Sequence, residues 1–462
     1  MKIKNIYLLI SLVGILGLSS CSDDYLEVKP TFSVSTDEQI DSKEKAEALV
    51  AGTYDRFSVS SYGAHVLGLS DLRGDDIFLK ASGNYGRFVT TYQLSEIPTS
   101  YKLNYIWQYA YQVISNANVI INNLEGSTAI ENSEAYIAEM KALRAQSYFN
   151  LVRIFSKAYT DDATAPGIPI SLVIASGTTE APARGTVQDV YDLIISDLEY
   201  AEEKLPASND NLQRITLPVV KGLLARVYLA QGEWTKARDY ATTAYAGIEL
   251  TATIGELKDF NTPTTEWMWS MDMREDDNNG YLMLPSFYDT RRMGYSSFRA
   301  TNELVDLFDA NDERTTYFGP ASAEGFKIEK FIHVSSWDMD QILMRASEMY
   351  LIEAEAKAEL GDDDGAKTAL NMIRNRAGLD NEIATGEALK TSIQTERRRE
   401  LFGEGFRFFD LKRRNMPLIK TGDSHWVDIN LEANDDKFTL PIPQDEIDAN
   451  DNISEADQNA GY

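Results

Sequence analysis

Residues 349–373 read Met349-Tyr350-Leu351-Ile352-Glu353-Ala354-Glu355-Ala356-Lys357-Ala358-Glu359-Leu360-Gly361-Asp362-Asp363-Asp364-Gly365-Ala366-Lys367-Thr368-Ala369-Leu370-Asn371-Met372-Ile373. Met349, Leu351, Ala354 and Ala356 make one helix, Gly361 breaks it, and Ala366, Leu370 and Ile373 belong to a second. This is a helix–turn–helix unit of the tetratricopeptide kind. Glycine reverses the chain cheaply, and a small alanine lets the paired helices approach closely. The same order stands upstream, with Leu224, Ala225 and Tyr228, then Gly232, then Trp234, Ala237 and Tyr240. In both units the turn glycine and the small residue are five apart, 232 to 237 and 361 to 366. Two units predict a curved helical layer and not a long solenoid. A scaffold alone does not name a function.

Helical periodicity extends outward from these units. Thr186 precedes Val187-Gln188-Asp189 as a cap, and Val190, Ile194, Leu198, Ala201 and Leu205 follow at spacings of three and four before Pro206. A longer helix is expected around residues 136–155, with Met140, Leu143, Leu151 and Phe155 on or near one face. Residues 59–104 and 252–340 are instead rich in Gly, Asn, Asp, Ser, Thr and Tyr, with short apolar runs. Long insertions of this kind are where binding surfaces usually sit. Trp267-Met268-Trp269 alternates like a half-buried strand and is assigned to the core. No linker divides residues 21–462. The expected fold is one mostly α domain with few short strands, its helical pairs packed under a loop-rich, ligand-facing region.

Residues 1–20 have the form of a secretion signal. Lys2 and Lys4 precede an apolar run from Ile6 to Leu18, thirteen residues and too short to span a bilayer as a helix. Leu18-Ser19-Ser20-Cys21 resembles the lipobox at which bacterial lipoproteins are cut and acylated. Cys21, the single cysteine, is therefore the expected lipidation site, and no disulfide can form within one copy. The whole chain carries 44 Lys+Arg against 72 Asp+Glu, a formal charge of −28. The signal holds two of those lysines and no acid, so the mature chain is more acidic still. Such a balance argues against nucleic acid and against a flat anionic membrane as partner.

The chemistry of common enzymes is not written in this sequence. His65, His333 and His425 are far apart and show no metal-ligand spacing. No phosphate-cradling glycine loop and no GxSxG nucleophile motif is present. Among so many acids, none stands out as the carboxylate pair of a glycosidase. Glu275-Asp276-Asp277-Asn278-Asn279-Gly280 imitates the start of a calcium loop, yet Ser286 occupies the twelfth place, where a bidentate glutamate is needed. The block from Glu396 to Asp410 aligns charges at i, i+4, which reads as ion pairs fastening a helix into its scaffold. The residues by themselves name no catalytic group, metal site or cofactor site.

Several stretches together resemble the SusD/RagB family of outer-membrane lipoproteins over nearly the whole mature chain. They begin with Asp24-Tyr25-Leu26-Glu27 and Pro30. Trp107, Tyr111, Ile114 and Asn116-Ala117-Asn118 follow, then Leu143-Arg144-Ala145 with Tyr148 and Leu151. Met344-Arg345-Ala346 with Glu348, Tyr350-Leu351 and Glu353-Ala354-Glu355-Ala356 is another. The most specific is Glu396-Arg397-Arg398, Glu400-Leu401, Glu404-Gly405, Arg407 and Asp410-Leu411. The tail adds Pro441-Ile442-Pro443, Glu446-Ile447, Asn450 and Gln458-Asn459-Ala460-Gly461-Tyr462. Asp451 and Ala460 stand where the family usually has proline, a departure that touches turn rigidity only. Ser22-Asp23-Asp24 also resembles a surface-export tag of Bacteroidota lipoproteins.

The resemblance implies a surface-facing, lipid-anchored outer-membrane subunit without catalysis. Such a protein sits over a SusC-like, TonB-dependent outer-membrane barrel and helps deliver oligosaccharide or polysaccharide into it, or in some members peptide. A tetratricopeptide-like assembly adaptor is the reading from a different class. A glycan site needs flat rings against the C–H face of a pyranose, with polar groups around its hydroxyls. Asn84, Tyr85, Arg87 and Tyr92 supply that mixture in the first insertion. Tyr281, Tyr288, Arg291 and Tyr295 supply it in the second, where Trp337 also lies in a polar Ser335-Ser336-Trp337-Asp338 setting. Tyr288 and Trp337 are the strongest stacking candidates on this reading, ahead of Tyr85.

Overall fold

Where apolar residues recur three and four apart, the chain coils into helices that bury one stripe. These are α1 (Lys43–Ser58), α2 (Gly63–Arg73), α3 (Tyr101–Leu124), α4 (Ser133–Phe155), α5 (Val187–Lys204), α6 (Leu217–Gln231), α7 (Trp234–Ala244), α8 (Ala346–Glu359), α9 (Asp363–Arg376), α10 (Gly386–Leu401) and α11 (Arg407–Arg413). The structure, a computed structural model, describes residues 39–462 except 81, 175–178, 208–210, 272, 292–293, 333–336, 338 and 423–424. The signal, the lipobox with Cys21, the opening family motif and His333 lie outside the described residues. Among those described, no helix is long and apolar enough to cross a membrane.

Both helix–turn–helix units form where the glycine spacing places them. Gly232 and Gly361 take φ of 77° and 79°, and Ala237 and Ala366 are fully buried in the helix pairs they close. The units are more than a hundred residues apart in sequence, yet α7 packs directly on α8. Tyr245 and Tyr350 stack across that junction with ring centroids 4.0 Å apart. Upstream, α5 begins on a reciprocal cap in which Asp189 N donates to Thr186 Oγ1 and Thr186 N donates to Asp189 Oδ2 (3.1 and 2.8 Å). Helices α3, α4, α5 and α6 pack in succession. Arg144 of α4 binds Asp197 of α5 through two bonds of 2.8 Å and reaches Asn118 of α3 at 2.6 Å. Two residues of the family motifs thus serve as one buried lock.

The insertions are more ordered than their composition predicts. They contribute α2 and the strands β1 (Ile77–Leu79), β2 (Trp267–Met271), β3 (Phe298–Ala300), β4 (Phe318–Ser322) and β5 (Gly325–Ile328). β6 (Gln341–Arg345) follows at their edge. β1, β3, β5 and β4 form one antiparallel sheet in that order, with Phe78 opposite Arg299 and Ala300 opposite Phe326. Strands from both insertions therefore meet in one sheet. β2 pairs with β6, and all five of its residues are buried, where alternation predicts a half-buried strand. The reason is its position between two cores. Met268, Trp269 and Met271 join the large helical cluster, while Trp267 joins a second cluster beneath the loops.

The Glu396–Asp410 block ties these halves together. Its helix ends at Leu401, so Glu404 and Arg407 lie beyond it and the pairs run to distant segments. Glu400 meets Arg314, Arg345 and Arg376, and Glu404 meets Lys330 and Arg345, all within 2.9 Å. Glu266, one residue before β2, binds Arg345 and Arg376 from the other side (2.9 and 2.5 Å). The expected fastening role is what the structure displays.

Candidate functional site

An aromatic row crosses the loop-rich half. It starts in a turn built on Asn84, which is fully buried and donates from Nδ2 to Arg87 O (3.1 Å) while accepting from Gly86 N (3.0 Å). The turn is strained: Tyr85 and Phe88 take φ of 56° and 60°, a left-handed conformation unfavourable to bulky residues. Phe88 is buried edge-on against Phe287 and Phe298 and anchors the turn. Tyr85 is thrown outward, 86% exposed. Strain at an aromatic that packs against little is a mark of function more than of folding.

The row continues through the second insertion. Tyr295 lies half-buried, stacked on Phe287 at 5.0 Å, and its ring is 6.3 Å from Tyr85 and 6.2 Å from Tyr281. Tyr281, 42% exposed, stands 5.0 Å from Trp337, a half-buried residue held at φ 61°. The guanidinium of Arg87 covers the Tyr295 ring at 4.3 Å. Four rings from three separate loops thus line up, with an arginine beside them. Apolar faces edged by hydrogen-bonding groups suit a ligand with one C–H face and a rim of hydroxyls.

Of the candidates read from sequence, Tyr85, Arg87, Tyr281, Tyr295 and Trp337 are brought together. Four others are not available to a ligand in this structure. Tyr288 is fully buried between Phe298 and Phe331, and its hydroxyl donates to Asp71 Oδ2 at 2.5 Å. Tyr92 is fully buried, its hydroxyl 2.5 Å from His425 Nδ1. Asn84 spends its amide on its own turn. Arg291 is exposed, but its guanidinium is committed to Asp259 (2.8 Å), Asp289 (3.2 Å) and the Phe331 carbonyl (2.9 Å). In the calcium-like run, Asn278 accepts from Gly280 N, while Asn279 donates to Ser58 O and accepts from Ser60 N in a distant segment. Among the described residues no cluster of acids, His or Cys could hold a metal.

The sequence reading missed a tyrosine ladder on α3. Tyr101 and Tyr105 are 58% and 40% exposed, and Tyr109 is half-buried behind them, with centroids 5.9 and 6.2 Å apart. Their i, i+4, i+8 spacing, out of phase with the buried Leu103, Ile106 and Ala110, was a legible signal. Lys102 lies 5.7 Å from the Tyr101 ring and 4.3 Å from Phe88, so the ladder adjoins the Tyr85 turn. Burial lowers the Lys102 ammonium to about 8, Glu96 opposing that drift and Arg87 adding to it.

Comparison with known proteins places these features in company. Residues 24–229 match a family model described as starch-binding, associating with the outer membrane, and residues 319–462 match the SusD family model. SusD-like protein P2 of Formosa agariphila is 27% identical over 100% of this chain and 99% of its own length. A solved SusD-like carbohydrate binding protein from Bacteroides vulgatus is 26% identical, with a TM-score of 0.80 over 90% of this chain and 97% of its own. A SusD superfamily protein from Bacteroides thetaiotaomicron, also 26% identical, gives 0.82 over 90% and 99%.

Proposed function

The chain belongs to the SusD/RagB family, and from that premise we propose that it captures glycan at the outer membrane without transforming it. The row Tyr85–Tyr295–Tyr281–Trp337 carries this reading. A surface protein has no packing reason to hold an 86%-exposed tyrosine in a strained turn beside Tyr295, through which the row continues to Tyr281 and Trp337. Stacking on such rings holds a sugar chain loosely enough to be passed on, which fits delivery to a SusC-like, TonB-dependent barrel. Cys21 is the proposed anchor, and Cys21→Ala is expected to release the folded protein from the outer-membrane fraction.

The test is binding by the purified mature chain to a panel of polysaccharides, followed by Tyr85→Ala and Trp337→Ala. Truncating an aromatic hot spot costs ~2 kcal/mol, roughly a thirtyfold loss of affinity. Tyr85→Ala should lose affinity at unchanged melting temperature. Unchanged affinity for a glycan that the wild type binds removes the row from the site. Binding of peptides in place of every glycan tested would favour the peptide-capturing arrangement.

A further inference from the structure

A small, partly open pocket that none of the row's rings lines lies among α4, α5, α6, α8 and the segment from Arg397 to Arg413. Six cations line it, Arg153, Lys157, Arg226, Arg397, Lys412 and Arg413, against two acids, Glu348 and Asp410. In a chain with 72 acids and 44 bases that balance is inverted. The acids present are already engaged. Glu348 binds Arg226 through both oxygens (2.7 and 2.6 Å), and Asp410 is shared by Arg397 and Arg413 at 2.8 Å each.

What remains is an excess of buried donors. Among the described residues Arg153 donates only to Phe149 O (3.2 Å) and Asn150 Oδ1 (2.8 Å), and the Phe149 and Phe409 rings each lie 4.1 Å from its guanidinium carbon. Lys412 donates to the Arg153 and Ser156 carbonyls (2.8 and 2.6 Å). Among the described residues no carboxylate pairs with either group. Arg397 is 5% exposed, and its Nη1 is buried with no acceptor among the described residues. An arginine does not shed its proton at neutral pH, so its N–H groups stay donors, and a buried one without an acceptor is costly. Burial lowers Arg153 to about 10 and Lys412 well below its ordinary value, as expected of cations lacking a counter-charge.

We propose that this pocket is a binding site for one small oxyanion, held by the guanidinium groups of Arg153 and Arg397, with Lys157, itself 3.2 Å from Asp161, at its mouth. Size selects the class. The space is about 50 Å³, and a water requires roughly 10–15 Å³, so it takes a group of a few heavy atoms such as a phosphate, a sulfate or a carboxylate. Planar guanidinium groups favour two-pronged contact with such oxygens, and the apolar walls of Phe406, Phe409 and Tyr191 strengthen the attraction. The site would brace the joint between helical layers and not take part in glycan capture.

The experiment is calorimetric titration of the mature chain with sodium phosphate, sulfate and acetate, at ionic strength held constant with sodium chloride. Saturable one-to-one binding by at least one of the three is expected, with an at least tenfold loss in Arg397→Lys, which keeps the charge but removes the fork. Lys157→Gln, at the exposed mouth, should weaken binding while leaving the fold unchanged. Which salt saturates distinguishes a phosphate, a sulfate and a carboxylate occupant. No saturable heat from any of them overturns the proposal, as does affinity unchanged in both variants.

Discussion

Tyr281 and Tyr288 are seven residues apart in similar company, yet one ring stands at the surface and the other closes a core. What separates them is a partner no local reading supplies. The Tyr288 hydroxyl meets Asp71, a buried carboxylate that also accepts from Gly405 N at 3.0 Å. Burial pushes that carboxyl up to about 7, although both hydrogen bonds act to lower it. The folded state therefore binds a proton more tightly than the unfolded chain, whose value is near 3.8. Between pH 4 and pH 7 this site loses stability as pH rises. Asp71→Asn keeps both hydrogen-bond partners and removes the titration. Thermal midpoints measured across that range should fall less steeply in the variant than in the wild type; equal slopes would refute the shift. Tyr288→Ala belongs with core truncations and should cost ~3–5 kcal/mol of stability. Chemical denaturation of that variant checks it.

Among the elements, the paired helices were the easiest to read, because glycine at the turn and alanine at the close approach are local requirements. Gly405 is a harder case. It stands in the family motif beyond the end of α10, at φ 82°, and a Cβ there would come within 2.7 Å of Leu67 Cδ2 and 3.0 Å of Leu67 Cα. Gly361 takes a similar φ with open space around it. Gly361→Ala should therefore cost about 1 kcal/mol from backbone conformation alone. Gly405→Ala should cost distinctly more, since the α2 backbone cannot step aside cheaply. Paired urea melts decide the order, and equal losses would mean that the Leu67 contact relaxes freely. The short strands were invisible for a related reason. Apart from the local β4–β5 hairpin, they gain their stability from partners distant in sequence, as when Phe78 pairs with Arg299.

Across the whole molecule, Glu400 is the centre of the charge network joining the loop-rich half to the helical half. Burial alone would raise its carboxyl, but Arg376, Arg345 and Arg314 overcome that and hold it well below the ordinary value. Stability from this group is present above about 4.5 and is lost as pH falls through the depressed value. Glu400→Gln strands several buried cations and should cost ~3–5 kcal/mol at pH 7. The gap from wild type should shrink as the solution is acidified below the ordinary value, and a pH-independent gap would point to packing instead. The sequence alone determined the helical class, the two turn units, the family motifs and the likeness of its first residues to a lipoprotein signal, because each rests on residues a few positions apart. Tertiary structure alone decided which aromatics face solvent. Exposure depends on what the rest of the chain brings against each ring, so Tyr85, Tyr281, Tyr295 and Trp337 became a row only when three loops met, and the cations of the partly open pocket became neighbours only when the helical layers closed.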